Sequence, residues 1–355
     1  METTPNDPGK KLTDIGSLGE FGLIDHLTRE LPIRNPETLK GVGDDAAVAD
    51  IGPFLTILTK DLLVEGVHFD ISYTPLKHLG YKSIVVNLSD VYAMNARPLQ
   101  VIVGLAVSGR YSLEAMEELY AGMRLACDKY GVDLVGGDTT TSSMGLTLSI
   151  TAVGKAGKDQ VVYRSGARPN DLLFVSGDLG AAYCGLLVLQ REKEEFKANP
   201  GMQPRMDDYA YVLERLLKPE ARSDIIDKLN QSGVKPTSMI DISDGLASEV
   251  LHLCKQSGCG ATIYEEKIPV DRRMAQTAHE FNIDPTTCAL SGGEDYELLF
   301  SISQQDYGKV KNIEGIHPIG HITGADQGAN LCSSSGQLIE LRAQGWDSFR
   351  RKEGR

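Results

Sequence analysis

Aspartate recurs in this 355-residue chain at places where apolar stretches break or end. Asp44 and Asp45 follow a glycine turn in GVGDDAAV. Asp61 interrupts the strand-like run TKDLLVEGVHF, and Asp90 sits inside a largely apolar helical stretch, in NLSD. Asp138 follows Gly136 and Gly137 in VGGDTTT, and Asp241 and Asp244 close the apolar run of IDISDGL. A single Gly-Asp or Ser-Asp is usually only a turn or a cap. Acids repeated at strand ends beside glycine are instead acids aimed into a cleft, where backbone lets a ligand come close. Two carboxylates about 4 Å apart repel by roughly 4 kcal/mol at an effective dielectric near 20, so a converging set stays ionised only with bound cations. Oxygen ligands without His or Cys point to Mg²⁺ or Ca²⁺. No EF-hand loop is present, and Mg²⁺ usually brings phosphate with it. These residues therefore predict metal-assisted chemistry on a phosphorylated substrate.

The common phosphate cradles are missing. There is no G-x-x-x-x-G-K-[ST] loop, no H-R-D or D-F-G set and no G-x-G-x-x-G; GKAGKD, near residue 154, is only superficially similar. If ATP is used, metal–carboxylate bridges hold its phosphates. A formal net charge of -13 excludes a broad nucleic-acid surface, which needs a basic stripe. The six cysteines form no Cys-x-x-Cys pair and the seven histidines are scattered, which argues for free thiols and against zinc. No apolar run is long enough to span a bilayer, and METTPNDPGKKLTD lacks a signal-peptide core, so the expectation is a cytoplasmic protein with no membrane association.

Periodicity places these acids on an α+β framework. SLGEFGLIDHLTREL reads as a helix with a Ser17/Glu20 capping box, and FLTILTKDLLVEGVHF as a strand. TPLKHLGYKSIVVNLSDVYAMNA has helical spacing and stops before Pro98. LQVIVGLAVSG is β-rich. SLEAMEELYAGMRLACDKYG is an amphipathic helix with Ser112 as its N-cap and Gly131 as its stop. VDLVGGDTTT, GLTLSITAVGKAG and LLFVSG are extended. The charged REKEEFKANPGMQPRMDD, residues 191–208, reads as an exposed excursion. LASEVLHLCKQSG, ATIYEEKIPV, VDRRMAQTAHEFN, YELLFSISQQD and HPIGHITGA then alternate helix and strand. The length fits two domains, with a boundary near 160: residues 1–160 and 161–355.

Six motifs in register make a specific resemblance. GVGDDAA, TKDLLVEGVHF, YKSIVVNLSDVYAMNARP, VGGDTTT, DISDGL and SGGEDYELLF together resemble the thiamine-monophosphate kinase family, a branch of the superfamily of aminoimidazole ribonucleotide synthase and selenophosphate synthetase. The resemblance runs from about Gly19 to Trp346. It implies two α/β domains of the aminoimidazole ribonucleotide synthase-like type, with the N-terminal sheet forming a dimer barrel and the C-terminal domain closing the cleft. It implies a homodimer that phosphorylates thiamine monophosphate with ATP, using several Mg²⁺ ions. The matched metal positions are Asp45, Thr59, Lys60, Asp61, Asp90, Asp138, Asp241 and Asp244. Nucleotide contacts match Gly137, Asp138, Arg164 and Ser243, with Tyr130 also facing the nucleotide, and substrate contacts match His68, Glu294 and Trp346. Lys60 stands where Ser or Thr is common, which either removes a hydroxyl ligand or sets an ammonium against phosphate. Asn95 stands where Gly is usual.

The resemblance also implies the mechanism. A phosphomonoester with its second pKa near 6 is mostly dianionic at neutral pH, so no general base is required. The alternatives are an aminoimidazole ribonucleotide synthase-like ATP-dependent enzyme and a non-catalytic divalent-ion or nucleotide-binding module. Selenophosphate synthetase would call for a reactive N-terminal Cys, whereas the first here is Cys127; the hydrogenase-maturation relative would call for a C-terminal Cys, whereas this chain ends RRKEGR.

Overall fold

The computed structural model describes residues 19–28, 33–201 and 206–343. Ser17 of the expected capping box and Trp346 lie outside them. The first half carries α1 (Gly19–Thr28), β1 (Thr38–Lys40), β2 (Ala47–Asp50), β3 (Leu55–Val64), α2 (Leu76–Ala93), β4 (Arg97–Val107), α3 (Leu113–Tyr130), β5 (Asp133–Thr141) and β6 (Thr147–Ala156). Its six strands form one mixed sheet in the order β1-β2-β3-β6-β4-β5. The second half carries β7 (Leu172–Ser176), α4 (Ala181–Ala198), α5 (Ala210–Leu217), α6 (Ser223–Gln231), β8 (Ser238–Ile242), α7 (Leu246–Ser257), β9 (Gly260–Tyr264), α8 (Arg272–Glu280), α9 (Pro285–Ser291), β10 (Glu297–Ile302), α10 (Tyr307–Val310), β11 (Ile316–Thr323), β12 (Ala329–Cys332) and β13 (Leu338–Glu340). Its seven strands order as β13-β12-β9-β11-β7-β10-β8.

The caps of α3 are those the sequence predicts. Ser112 accepts a hydrogen bond from the Ala115 amide, and Gly131 ends the helix in the left-handed region at φ 64°. α2 is apolar on nearly every side because it is covered on nearly every side. Ile84, Val85, Leu88 and Val91 join Ile57, Val103, Leu148 and Ile150 of the first sheet in one core. α3 crosses α2 at glycine on both helices: a Cβ on Gly80 would lie 1.9 Å from the Leu119 carbonyl oxygen, and one on Gly122 would lie 1.8 Å from that of Lys77. That core continues into the second sheet through Phe174, Met239, Leu298 and Phe300, with Ile225 and Leu229 of α6. The opposite face of the second sheet packs Val175, Ile240, Ile242 and Leu299 against Val250 and Leu253 of α7. β8 and β10 are thus buried on both faces, and their apolar residues share that burial with Ser238 and Asp241 of β8 and Glu297 and Ser301 of β10.

Two readings change. β3 ends at Val64, so His68 lies in a turn rather than a strand. The 191–208 stretch is not an excursion at its start: α4 continues to Ala198, Glu192 is buried, and Arg191 stacks on Tyr209 and Phe281. The first sheet is open in the single chain, and its face away from α2 exposes Leu58, Leu62 and Ile102.

The α2–α3 crossing yields the first prediction. Gly122→Ala is expected to lower unfolding stability by about 1–3 kcal/mol, because a backbone must move to admit the methyl. Urea denaturation checks this, and an unchanged midpoint contradicts the close approach.

Candidate active site

Four separate pieces of chain deliver acids to the seam between the two sheets. The first is the turn before β2. Gly43, at φ 111°, bends the chain so that Asp44 and Asp45 enter the protein. Arg164 grips Asp45 with two hydrogen bonds of 3.0 Å, from Nε to Oδ2 and from Nη2 to Oδ1. The Arg164 amide donates to Asp44 Oδ1 at 3.1 Å, while buried Asp44 Oδ2 has no hydrogen-bond partner.

β3 supplies the second piece. Its alternation directs Thr59 and Asp61 to the α2 side, where Thr59 Oγ1 donates to Asp90 Oδ2 at 2.6 Å and the Asp61 amide donates to Asn87 Oδ1 at 3.0 Å. Lys60 therefore projects from the opposite face, exposed like Leu58 and Leu62, and is not brought to the acids. A period of two cannot put three consecutive side chains on one side, so of Thr59, Lys60 and Asp61 only the first and last turn their side chains toward the acids.

α2 provides Asn87, Ser89 and Asp90. Ser89 Oγ donates to Asp241 Oδ2 at 2.7 Å, which joins the first half to β8 of the second. Beyond β8 the chain turns at Gly245, φ 115°, where a Cβ would meet the Leu290 carbonyl oxygen at 2.8 Å. The Asp244 amide there donates to Glu249 Oε1 at 2.8 Å.

Asp45, Asp90 and Asp241 each present an oxygen within 4.8 Å of the others. Burial pushes the Asp90 carboxyl well above the ordinary range, and Asp61, Asp241 and Asp45 push it further. Burial and Asp45 do the same to Asp241. Asp44 is raised to about 6 by burial and by Asp45. Burial would lower Arg164, but the Asp45 charge and hydrogen bonds outweigh it and hold the guanidinium protonated.

A loop from Gly292 to Tyr296 borders this cluster. Glu294 and Tyr296 both adopt left-handed backbone, φ 60° and 51°, which costs about 1–3 kcal/mol each for residues other than glycine. Glu294 N donates to Ser243 O at 2.6 Å and Tyr296 N to Ile242 O at 2.9 Å, so the strained loop is stitched to the end of β8. The Tyr296 phenol is raised by burial and by the charges of Glu294, Asp61, Asp241 and Asp244 around it. Glu294 itself pairs with Lys82 of α2 at 3.0 Å. His68 Nδ1 accepts the Val64 amide at 3.0 Å, which leaves the proton on Nε2.

Tyr130 and Asp138 sit away from the acid cluster. Tyr130 donates to Glu220 at 2.6 Å and accepts from the Ala221 amide at 2.9 Å, so its hydroxyl is engaged at a junction between the halves. Asp138 is exposed on β5, paired in register with Gly104, outside the acid cluster. Its neighbour Gly137 lies so close to β4 that a Cβ would stand 1.9 Å from Val103 O. Asn87, Ser89, Glu249 and Lys82 were not singled out from the sequence. Asn87 and Ser89 carried a signal, since they share the NLSD turn with Asp90.

Comparison with known proteins decides the family. Residues 43–156 match the AIR synthase related protein N-terminal domain, and residues 168–328 match the AIR synthase related protein C-terminal domain. The thiamine-monophosphate kinase of Aquifex aeolicus (strain VF5) is 34% identical over 308 residues, 84% of this chain and 94% of that protein. That of Bacillus subtilis (strain 168) is 30% identical over 339 residues, 94% of this chain and 100% of that one. The chain belongs to the thiamine-monophosphate kinase family. A solved member, AaThiL complexed with AMPPCP and TMP, superposes with a TM-score of 0.81 at 31% identity, covering 95% of this chain and 99% of that one. The hydrogenase maturation protein HypE shares the fold, with a TM-score of 0.65 at 20% identity over 90% of this chain and 96% of that one. The two-domain α+β architecture expected from the motifs is therefore that of the family.

The raised carboxyls set a pH dependence. Without metal, folded Asp90 and Asp241 hold protons more tightly than in the unfolded chain, whose aspartates titrate near 4, so stability falls as pH rises above about 4. A bound cation replaces those protons. The rise in Tm on adding Mg²⁺ is expected to be larger at pH 8 than at pH 5, read by scanning fluorimetry. An equal rise at both contradicts the cluster as the binding site.

Proposed function

We propose that this chain moves the γ-phosphoryl group of ATP onto the phosphate of thiamine monophosphate, giving thiamine diphosphate and ADP. One observation carries the reading. Acids from the turn before β2, from α2 and from β8 converge within 4.8 Å, in a chain of this family. The solved relative that carries AMPPCP and TMP supports the same substrate pair.

The donor set fits Mg²⁺. It is oxygen-only and partly or fully buried, and burial and neighbouring aspartates push Asp90 and Asp241 toward protonation, a cost that a bound cation would relieve. Asp45, Asp90 and Asp241 would hold the metal, with Asp61, Asp244 and the Thr59 hydroxyl around them. Bound Mg²⁺ supplies charge neutralisation between two polyanions and alignment for in-line transfer. The protein's own groups do the rest. Arg164 fixes both oxygens of Asp45, Ser89 fixes Asp241, and Thr59 fixes Asp90, so the acids are aimed before any ligand arrives. The attacking phosphate oxygen is already ionised at neutral pH, and no side chain is assigned as base. His68, through Nε2–H, Glu294 and Trp346 contact the thiamine substrate; Ser243, Gly137 and Arg164 contact the nucleotide.

The reading extends to the assembly. The open face of the first sheet, with Leu58, Leu62 and Ile102 exposed, pairs with a second copy to form the dimer barrel. Asp138 and Lys60 lie toward that interface rather than toward the cluster of their own chain. The division between the domains falls near residue 160, and the unpaired thiols support a cytoplasmic location.

Protein, ATP, Mg²⁺ and thiamine monophosphate should yield thiamine diphosphate, and Asp90→Asn should reduce turnover by at least about 100-fold while circular dichroism stays unchanged. Full activity in that variant removes Asp90 from the machinery. Leu62→Glu should convert the dimer to monomer in light scattering; a persisting dimer contradicts the interface.

A further inference from the structure

The cation that faces Glu294 takes no part in the acid cluster. Lys82 is 6% exposed, and a buried ammonium must be satisfied by fixed partners. It has two. Nζ lies 3.0 Å from Glu294 Oε2 and donates to the Leu216 carbonyl at 3.1 Å. Leu216 is in the last turn of α5, where the helix dipole presents its negative end. The lysine is therefore held by α5 as well as by Glu294, and it stays in place when Glu294 engages something else.

Its position along α2 is informative. Lys82 and Ser89 are seven residues apart, two helical turns, so they share one stripe about 10 Å apart along the axis. Ser89 holds Asp241 at one end of that stripe. Lys82 holds Glu294 at the other. On the kinase reading, an extended substrate whose phosphate reaches the acid cluster and whose far ring reaches Glu294 would lie along this face of α2. The loop is anchored through the Glu294 and Tyr296 amides and through Asp295, whose Oδ2 accepts the Gly180 amide at 2.7 Å, while Lys82 holds the Glu294 carboxylate.

We propose that Lys82 is the positioning residue for recognition of the substrate's aminopyrimidine: it clamps Oε2 of Glu294 and leaves Oε1 as the acceptor for the ring amine. The proposal rests on the kinase reading and on Glu294 as a substrate contact. The rigid α2 then acts as a ruler between the reacting phosphate and the ring.

Steady-state kinetics on the full chain test this, with Lys82→Met, Glu294→Gln and the double variant. Thiamine monophosphate is compared with oxythiamine monophosphate, in which the ring amine is replaced by oxygen. Lys82→Met should raise KM for thiamine monophosphate about tenfold, leave KM for ATP within about twofold and erase most of the preference over the oxygen analogue. The double variant should be no worse than Glu294→Gln alone, since both remove one interaction. An unchanged KM and preference in Lys82→Met overturns the proposal while leaving Glu294 in its role. A fall in kcat with both KM values shifted alike also overturns it, because that is the signature of a merely structural lysine. If Glu294→Gln itself leaves KM for thiamine monophosphate unchanged, the assignment of Glu294 fails and the proposal falls with it. Should Lys82→Met not fold, Lys82→Gln removes the same charge and leaves Glu294 in place, and an unchanged KM and preference in that variant overturns the proposal in the same way.

Discussion

Carboxylates forced within 4.8 Å of one another, away from water, are the constraint on which the rest of this structure depends. Burial raises the Asp90 and Asp241 carboxyls, and neighbouring aspartates raise both further. An arrangement of this kind persists only if the surrounding fold over-determines it. Here the restraints come from different parts of the chain: Arg164 on Asp45, Thr59 on Asp90 and Ser89 on Asp241. The electrostatic tension is the means by which an acidic chain becomes a receptor for cations, and through them for anionic substrates.

α2 organises this arrangement. Its apolar surface is consumed by the first sheet, by α3 and by the core shared with the second sheet. Four of its polar side chains are engaged at the seam: Lys82 with Glu294, Asn87 with the Asp61 amide, Ser89 with Asp241 and Asp90 with Thr59. A helix fixed by packing on so many sides makes a rigid base for a site, and the glycine crossing with α3 brings its neighbour close enough to lock it. The strained 292–296 loop is the complementary part. Its left-handed residues are tolerated because β8 and Lys82 hold them.

Much of this was legible in the sequence, for local reasons. The caps of α3, the strands β4 and β6 and the helix α7 follow from periodicity and from Ser and Gly at fixed offsets. The acid set was legible because aspartate beside glycine at strand ends is a poor fit to a purely structural part. Long-range facts were not. Nothing local says that Tyr130 spends its hydroxyl on Glu220 and Ala221, or that Lys82 meets a glutamate more than two hundred residues away. α5, α6 and α9 are short and lie among charged residues, and they went unread. The direction of the Lys60 side chain was open to inference, since strand alternation already separates it from those of Thr59 and Asp61. The charge of REKEEF concealed a helix whose Arg191 is held by two aromatic rings.

Locating the bound cation directly tests the central claim most sharply. Crystals of the full chain grown with Mn²⁺ in place of Mg²⁺ would show it by anomalous scattering. The account predicts a peak within bonding distance, about 2.0–2.2 Å, of oxygens from Asp45, Asp90 and Asp241 together. Peaks confined to other surfaces, with those three carboxylates unligated, would contradict it.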